Sequence, residues 1–226
     1  MATRRSRYCL ERLGEIELLM AKGAEAYLFK EKWYDRTVVR KFRVAKSYRI
    51  PELDQKIRQY RTIHEAKMFG NARKIGVSTP IVYQVDVPKT TIIYEYIDGQ
   101  KLKDVIDEIN KQEQERICTN VGRSIGALHK NGLIHGDLTT SNMILTSESQ
   151  IYFIDFGLSE HSSETEQKGV DLHLMRRALQ STHYRYAKEC FKAVLVGYRE
   201  VLGKEAEEII IRIGEIQRRG RYIGGR

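Results

Sequence analysis

The amino-acid sequence predicts an α+β chain with two lobes, and three observations carry that reading. Short apolar runs separated by breaks crowd residues 16–43 and 80–97 around one long helical pattern. After Asp98-Gly99 the apolar spacing turns helical almost to the end. The exception is GLIHGDLTTSNMILTSESQIYFIDFG, residues 132–157, where NMIL and IYFID read as two short strands around the polar turn TSESQ.

The elements follow in order. Three strands are expected near 16–21, 26–32 and 37–43. Pro51 then opens a helix, since its fixed φ suits a first turn, and Leu53, Ile57, His64 and Met68 recur at helical spacing. PIVYQVDV and TTIIYEYI make two more strands. A helix over about 111–130 carries Ile117, Val121, Ile125 and Leu128 as its inner stripe, and further helices are expected from about residue 170. The organisation is thus a single domain over 1–226: a front lobe over 1–97, a helical back lobe over 98–217, and a basic tail over 218–226.

The totals bound the function. With 226 residues and 41% hydrophobic content the chain can bury a core, and a net charge of +9 suits an anionic partner, nucleic acid or nucleotide ahead of membrane. Solubility alone also accounts for that charge. Cys9, Cys118 and Cys190 are scattered and odd in number, with no C-x-x-C, which supports neither a zinc site nor a disulfide framework. No stretch approaches membrane length and the N-terminus lacks a long apolar core, so a soluble, cytoplasmic protein with no membrane partner is expected.

The chemistry gathers around the hairpin. Folding it brings Asn142 and Asp155 near each other, with Asp137 on the loop just before. Three oxygen-bearing side chains on strand-anchored loops suit a hard cation and a phosphate, and suit a packed core badly. Asp137, then Asn142 five residues on, then Asp155-Phe156-Gly157 reproduce the order of a kinase catalytic loop and D-F-G. In that pattern the first carboxylate orients and accepts the proton of the attacking hydroxyl, and the Asn and the second Asp hold Mg²⁺ against the phosphates of ATP.

The front lobe supplies matching parts. In TVVRK, Lys41 shares a strand face with Val39 and is similar to the lysine that grips the α/β-phosphates. Arg40 and Lys46 are the competing cations. Glu65, on the long helix, looks like that lysine's partner; the alternative is a surface pair with Arg61 one turn away. In IIYEYIDG the Glu95 carbonyl and Ile97 amide are candidate adenine contacts, with Tyr94 at the back, and the turn of Lys22, Gly23 and Ala24 is the candidate cover for the phosphates. The expected architecture is therefore a protein-kinase-like two-lobed fold.

The segments KGAEAYLF, YRIPELD, RTIHEAKM, HGDLTTSN and IDFGLS resemble, across nearly the whole chain, the small atypical kinase of the KEOPS complex, the PRPK-type family of archaea and eukaryotes. The resemblance implies binding of ATP and Mg²⁺, autophosphorylation on Ser/Thr, and an ATPase activity. It also implies membership of the complex that makes N6-threonylcarbamoyladenosine in tRNA. The expected partners are KEOPS subunits, above all the ATP-binding subunit that transfers the threonylcarbamoyl group, together with tRNA.

Departures from ordinary protein kinases narrow the reading. There is no G-x-G-x-x-G, only Gly23. His135-Gly136-Asp137 replaces H-R-D, Thr139 stands where a Lys is usual, and only sixteen residues separate Asp155 from Asp171, with no A-P-E. The back lobe is thus minimal and lacks an activation loop, which favours ATP turnover inside a complex over phosphorylation of outside proteins. Asp171 either braces the catalytic loop through backbone N–H groups or is an ordinary carboxylate at a helix start. RRGRYIGGR, with Arg218, Arg219, Arg221 and Arg226, is either a frayed tail or an arm that orders on RNA or a partner subunit. Two other functions compete: a small-molecule phosphotransferase of the aminoglycoside type, and a non-catalytic RNA-binding scaffold.

Overall fold

The computed structural model describes residues 18–23 and 25–223, with side chains through Arg219. Residues 16–17 of the first expected strand, Ala24 and Arg226 lie outside the described residues. The chain divides into two compact units, Met1–Thr62 with Tyr83–Tyr96, and Ile63–Val82 with Ile97–Arg226.

The front unit is built on a five-stranded sheet of order β1-β2-β3-β5-β4. Its strands are β1 (Leu18–Lys22), β2 (Ala26–Trp33), β3 (Arg36–Arg43), β4 (Val82–Asp86) and β5 (Thr91–Glu95). Two residues, Tyr34 and Asp35, join β2 to β3, with Tyr34 in the left-handed region at φ 53°. The pairing runs from Ala26↔Arg43 to Trp33↔Arg36, and β3 pairs on its other side with β5. A central strand is buried on both faces, which is why TVVRKF carries no clean polar–apolar alternation.

Pro51 starts α1 (Pro51–Lys74), with Glu52 and Asp54 in the first turn and Arg73 and Lys74 in the last, each sign favourable at its end of the helix dipole. Its buried positions are Asp54, Thr62, Glu65, Met68, Phe69 and Ala72. Leu53, one of the residues at helical spacing in the sequence, is 52% exposed. The inner face here is partly polar because the polar groups have partners. Asp54 takes Arg58 Nε at 2.7 Å and Arg49 Nη1 at 3.4 Å, and Thr62 donates to the Arg58 carbonyl at 2.7 Å. The Arg58 hydrogen bond holds the Asp54 carboxyl below the usual carboxylate range. The sequence reading put the whole of this helix in the front lobe, whereas its residues from Ile63 onward cluster with the helical unit.

The helical unit contains α2 (Leu102–Val105), α3 (Lys111–Lys130), α4 (Thr165–Thr182), α5 (Ala187–Leu202) and α6 (Glu205–Ile223). Asn110 caps α3 by accepting from the Glu113 amide at 2.9 Å. Ile117, Val121, Ile125 and Leu128 are all fully buried. Each contributes about 1.5–3 kcal/mol by leaving water. Helices α3 and α5 cross at glycines: a Cβ on Gly122 would fall on the Val194 carbonyl, and one on Gly197 on the Thr119 carbonyl. The two backbones touch where only hydrogen fits. The final helix runs on through Ile223, so residues 218–223 continue α6 rather than form a separate tail. Arg219 pairs with Glu166 of α4 at 2.9 Å. Gln217, Arg218 and Arg219 are good helix formers, and a single Gly220 is too small a penalty, about 1 kcal/mol, to stop the helix. No described helix is long and apolar enough to cross a membrane.

Five short strands complete this unit: β6 (Gln100–Lys101), β7 (Leu133–Ile134), β8 (Met143–Leu145), β9 (Ile151–Phe153) and β10 (Glu160–His161). They form a β6-β8-β9 sheet and a β7-β10 pair. The expected hairpin is present, antiparallel from Met143↔Phe153 to Leu145↔Ile151. It is shorter at both ends than the sequence suggests, because Asn142 ends a 3-10 turn (Thr140–Asn142) and Asp155 lies past the last paired residue.

Candidate active site

The loop from His135 to Asn142 is fixed from behind. Asp171 lies well inside α4, so it is not a helix-start carboxylate. Its two oxygens accept the backbone N–H of His135 at 2.8 Å and of Gly136 at 2.9 Å. His129 of α3 approaches the same carboxylate through Nε2 at 3.1 Å, while its Nδ1 meets the Tyr198 hydroxyl of α5 at 2.9 Å. With Nε2–H given to Asp171, the ring accepts the tyrosine proton at Nδ1. Burial pushes the Tyr198 phenol up, so it stays a donor.

Gly136 has φ +80°, and a Cβ there would meet the Leu158 carbonyl. The absence of an arginine at this position is therefore a backbone requirement as well as the loss of a phosphate-reading cation. His135 is fully buried against Phe156, with ring centroids 4.7 Å apart. Its Nδ1 accepts the Asp137 amide at 3.3 Å, and its Nε2 has no hydrogen-bond partner among the described residues. Burial lowers its pKa, outweighing the nearby Asp171, Asp155 and Asp137, which act in the opposite sense.

Asn142 and Asp137 are brought together. The Asn142 Nδ2 donates to the Asp137 carboxylate at 2.8 Å and to the Asp137 carbonyl at 3.0 Å. Both amide hydrogens thus point back into the loop, and Oδ1 is the atom left to face another ligand. Asp155 follows β9, tied to Asn142 through Ile154 N–H to the Asn142 carbonyl at 2.9 Å. Its backbone is in the left-handed region at φ 64°, and its Oδ1 accepts the Gly157 amide at 3.3 Å. The amide oxygen and the carboxylate are hard donors of the kind a magnesium ion takes. Among the described residues no three His, Cys, Asp or Glu are arranged to hold a metal ion by themselves. That donor set fits a cation that keeps its waters and takes phosphate oxygens, and does not fit an all-protein cage.

The segment after Asp155 is pinned rather than long. Ser159 Oγ donates to the Phe156 carbonyl at 2.6 Å, the Ser159 carbonyl meets His64 Nε2 at 2.6 Å, and β10 pairs at once with β7. Phe156 packs edge-on against Phe69 at 5.4 Å.

The remaining candidates fall as follows. Lys41 lies in β3 opposite Leu28 and Ile92, and is 6% exposed. Arg40 faces the other side of the strand and pairs with Glu31 at 2.8 Å. Glu65 is fully buried in α1, and Arg61, its suggested surface partner, is paired with Glu25. Glu95 ends β5, with the Tyr96 amide donating to the Thr37 carbonyl at 3.3 Å, and Ile97 is buried. Lys22 ends β1 with its ammonium 5.4 Å from the Tyr27 ring, and the Gly23 amide closes the turn onto the Ala26 carbonyl at 2.9 Å. Sequence reasoning missed His129, His135, His183 and Tyr198. Only the His135 position, inside the H-G-D motif, carried a local signal.

Residues 22–194 match the protein kinase domain family. The KEOPS complex subunit Bud32 of Pyrococcus abyssi is 47% identical over 90% of this chain and 96% of its own length. A probable bifunctional tRNA threonylcarbamoyladenosine biosynthesis protein of Methanothermobacter thermautotrophicus is 41% identical over 90% of this chain, which spans only 36% of that protein. The crystal structure of the Rio2 kinase from Chaetomium thermophilum superposes with a TM-score of 0.57, covering 88% of this chain and 71% of that one, at 17% identity, a likeness of fold. The chain belongs to the protein kinase family and, within it, to the group of the KEOPS subunit Bud32. It is an atypical protein kinase or ATPase, with ATP as its substrate.

Proposed function

We propose that this protein binds Mg-ATP, autophosphorylates and hydrolyses ATP, and in doing so supports threonylcarbamoyladenosine formation in tRNA as a subunit of the KEOPS complex. The observation that carries the chemistry is the Asn142 amide, locked by its two donors onto Asp137 with Oδ1 left over. In this reading Asp137 orients the attacking hydroxyl or water and takes its proton as the γ-phosphoryl group moves across and ADP leaves. Asn142 and Asp155 hold the magnesium ion, which neutralises charge on the phosphates when bound. Lys41 holds the α/β-phosphates, with Glu65 as its orienting partner. Lys22, Gly23 and Ala24 cover the phosphates, and Glu95 and Ile97 receive the adenine.

The role in the cell rests on the relatives. A protein named bifunctional in the same tRNA modification matches this chain over about a third of its length. That supports a direct partner supplying the other activity, in our reading the ATP-binding subunit that transfers the threonylcarbamoyl group. The basic surface and the arginines from Arg218 onward suit tRNA phosphates.

The test is Asp137→Ala. ATP turnover and autophosphorylation should fall on the order of 10²–10⁴-fold while Mg-ATP binding by calorimetry persists. Turnover at the parent rate would remove Asp137 from the reaction. Loss of tRNA-stimulated turnover in the same variant, assayed in the reconstituted complex, links the site to tRNA modification.

A further inference from the structure

The reaction as read above leaves a second buried chain of polar groups unused. Thr140 opens the 3-10 turn that ends at Asn142 and is 2% exposed. Its hydroxyl meets His183 Nε2 at 2.9 Å, and His183 Nδ1 meets Asp107 Oδ1 at 2.9 Å. His183 is 1% exposed and caps the C-terminal end of α4 through its own amide, which donates to the Leu179 carbonyl at 2.8 Å. With Nδ1–H given to the carboxylate, Nε2 is left to accept the threonine proton, so the ring has one arrangement and the hydroxyl one direction. Asp107 is itself seated between fixed points. Ile106 before it is fully buried, and the Ile106 carbonyl accepts from Gln114 Nε2 of α3 at 2.8 Å.

The turn that Thr140 opens runs into β8, and the Asn142 carbonyl accepts the Ile154 N–H at 2.9 Å. Asn142 N–H closes it on the Thr139 carbonyl at 3.0 Å, and the Asn142 side chain points away from it, onto Asp137. Asp171 holds the other end of the loop, at His135 and Gly136. The loop is therefore held at its start from α4 by a carboxylate, and at its finish through the backbone by Ile154 and through a side chain by the Thr140 hydroxyl.

We infer that Thr140, backed by His183 and Asp107, is a positioning residue for the metal ligand Asn142. It fixes the rotation of the turn and so the place of the Asn142 oxygen. This inference rests on the reading of Asn142 as a magnesium ligand. Partners behind a ligand usually alter metal affinity about 10–100-fold when removed, because the ligand keeps its chemistry and loses its aim.

Four variants test this in the full chain: Thr140→Val, Thr140→Ser, Asp107→Asn and Asn142→Ala. Nucleotide binding is titrated with magnesium by calorimetry, and amide exchange at residues 139–143 is followed without metal or nucleotide. Thr140→Val should raise the half-saturating magnesium concentration about ten-fold, leave magnesium-free ATP binding unchanged, and speed exchange of the Asn142 amide. Thr140→Ser, which keeps the hydroxyl, should hold all three at the parent values. Asp107→Asn, at a partly exposed position where misfolding is not a concern, should give a smaller shift in the same direction. A variant that merely loosens the fold would lower the melting temperature and weaken ATP binding with and without magnesium alike. Unchanged magnesium dependence in Thr140→Val beside a shifted one in Asn142→Ala overturns the inference alone. Unchanged dependence in Asn142→Ala overturns the metal-site reading and this inference with it.

Discussion

Two segments nominated for phosphate chemistry are built in opposite ways. The loop from His135 to Asn142 is held by buried side chains from three helices, with Asp171 taking two backbone N–H groups and His129 and Tyr198 standing behind it. The described part of the turn after β1 is held at its exposed surface, by the Gly23 to Ala26 backbone bond, by the Val44 N–H on the Glu25 carbonyl at 3.1 Å and by Arg61 on the Glu25 carboxylate, with Lys22 exposed beside it. The difference reflects what each can contribute. A loop that must fix oxygen atoms for proton and metal chemistry needs its geometry over-determined. A turn that only offers amides to phosphate can close when its ligand arrives.

The largest effect should come from removing the brace. Asp171→Ala strands two backbone N–H groups and the His129 proton in a dry interior, at roughly 3 kcal/mol or more. Urea unfolding should show that loss, with Asp171→Asn losing less because one oxygen acceptor survives. A loss under about 1 kcal/mol in the alanine variant would mean that the loop does not depend on its buried brace.

A matched pair of glycine substitutions sharpens the contrast. Gly136→Ala forces a Cβ into the left-handed region against the Leu158 carbonyl, so it should destabilise by about 1–2 kcal/mol and slow ATP turnover. Gly23→Ala puts a Cβ 3.2 Å from the Ala26 carbonyl, a contact that a shift of tenths of an ångström relieves. Its effect on melting should be within about 0.5 kcal/mol. Equal effects at the two sites would contradict the distinction.

The smallest effect is a pH dependence confined to the braced loop. Burial lowers the His135 pKa below its unfolded value of about 6.5. Below pH 6.5 the unfolded chain takes up a proton that the folded one refuses. Stability should therefore be fully present above about pH 6.5 and decline as pH falls from there toward the folded pKa. His135→Phe should lose some stability at neutral pH, because the Asp137 amide loses its acceptor, yet show a flatter decline between pH 7 and 5. Parallel melting curves for the two proteins would assign the acid sensitivity elsewhere.

The same contrast explains what could be read in advance. Asp137, Asn142 and Asp155 were legible because their geometry is set by a hairpin only 26 residues long from Gly132 to Gly157, and short spacings survive as patterns. His129, Asp171 and Tyr198 meet from helices whose residues lie 42 and 69 positions apart, and no local spacing encodes that meeting. The inward face at the start of α1 is hidden from the sequence for a related reason. Asp54 is the inward residue, and an acidic side chain looks like surface until Arg49 and Arg58 are known to close on it. The C-terminal arginines and glycines read as a tail or an arm on composition, whereas helix propensity carries α6 through Ile223.

In the function proposed above, Asp155 stands where a residue is chosen for what it does at the expense of how easily it sits. At φ 64° a glycine or an asparagine would be the more comfortable occupant. Either would relieve the backbone, and either would remove the carboxylate. A search for sturdier versions of this protein, run without regard to activity, would therefore be drawn toward this position early and would trade away its chemistry there. Thermal selection alone is the wrong filter for engineering it.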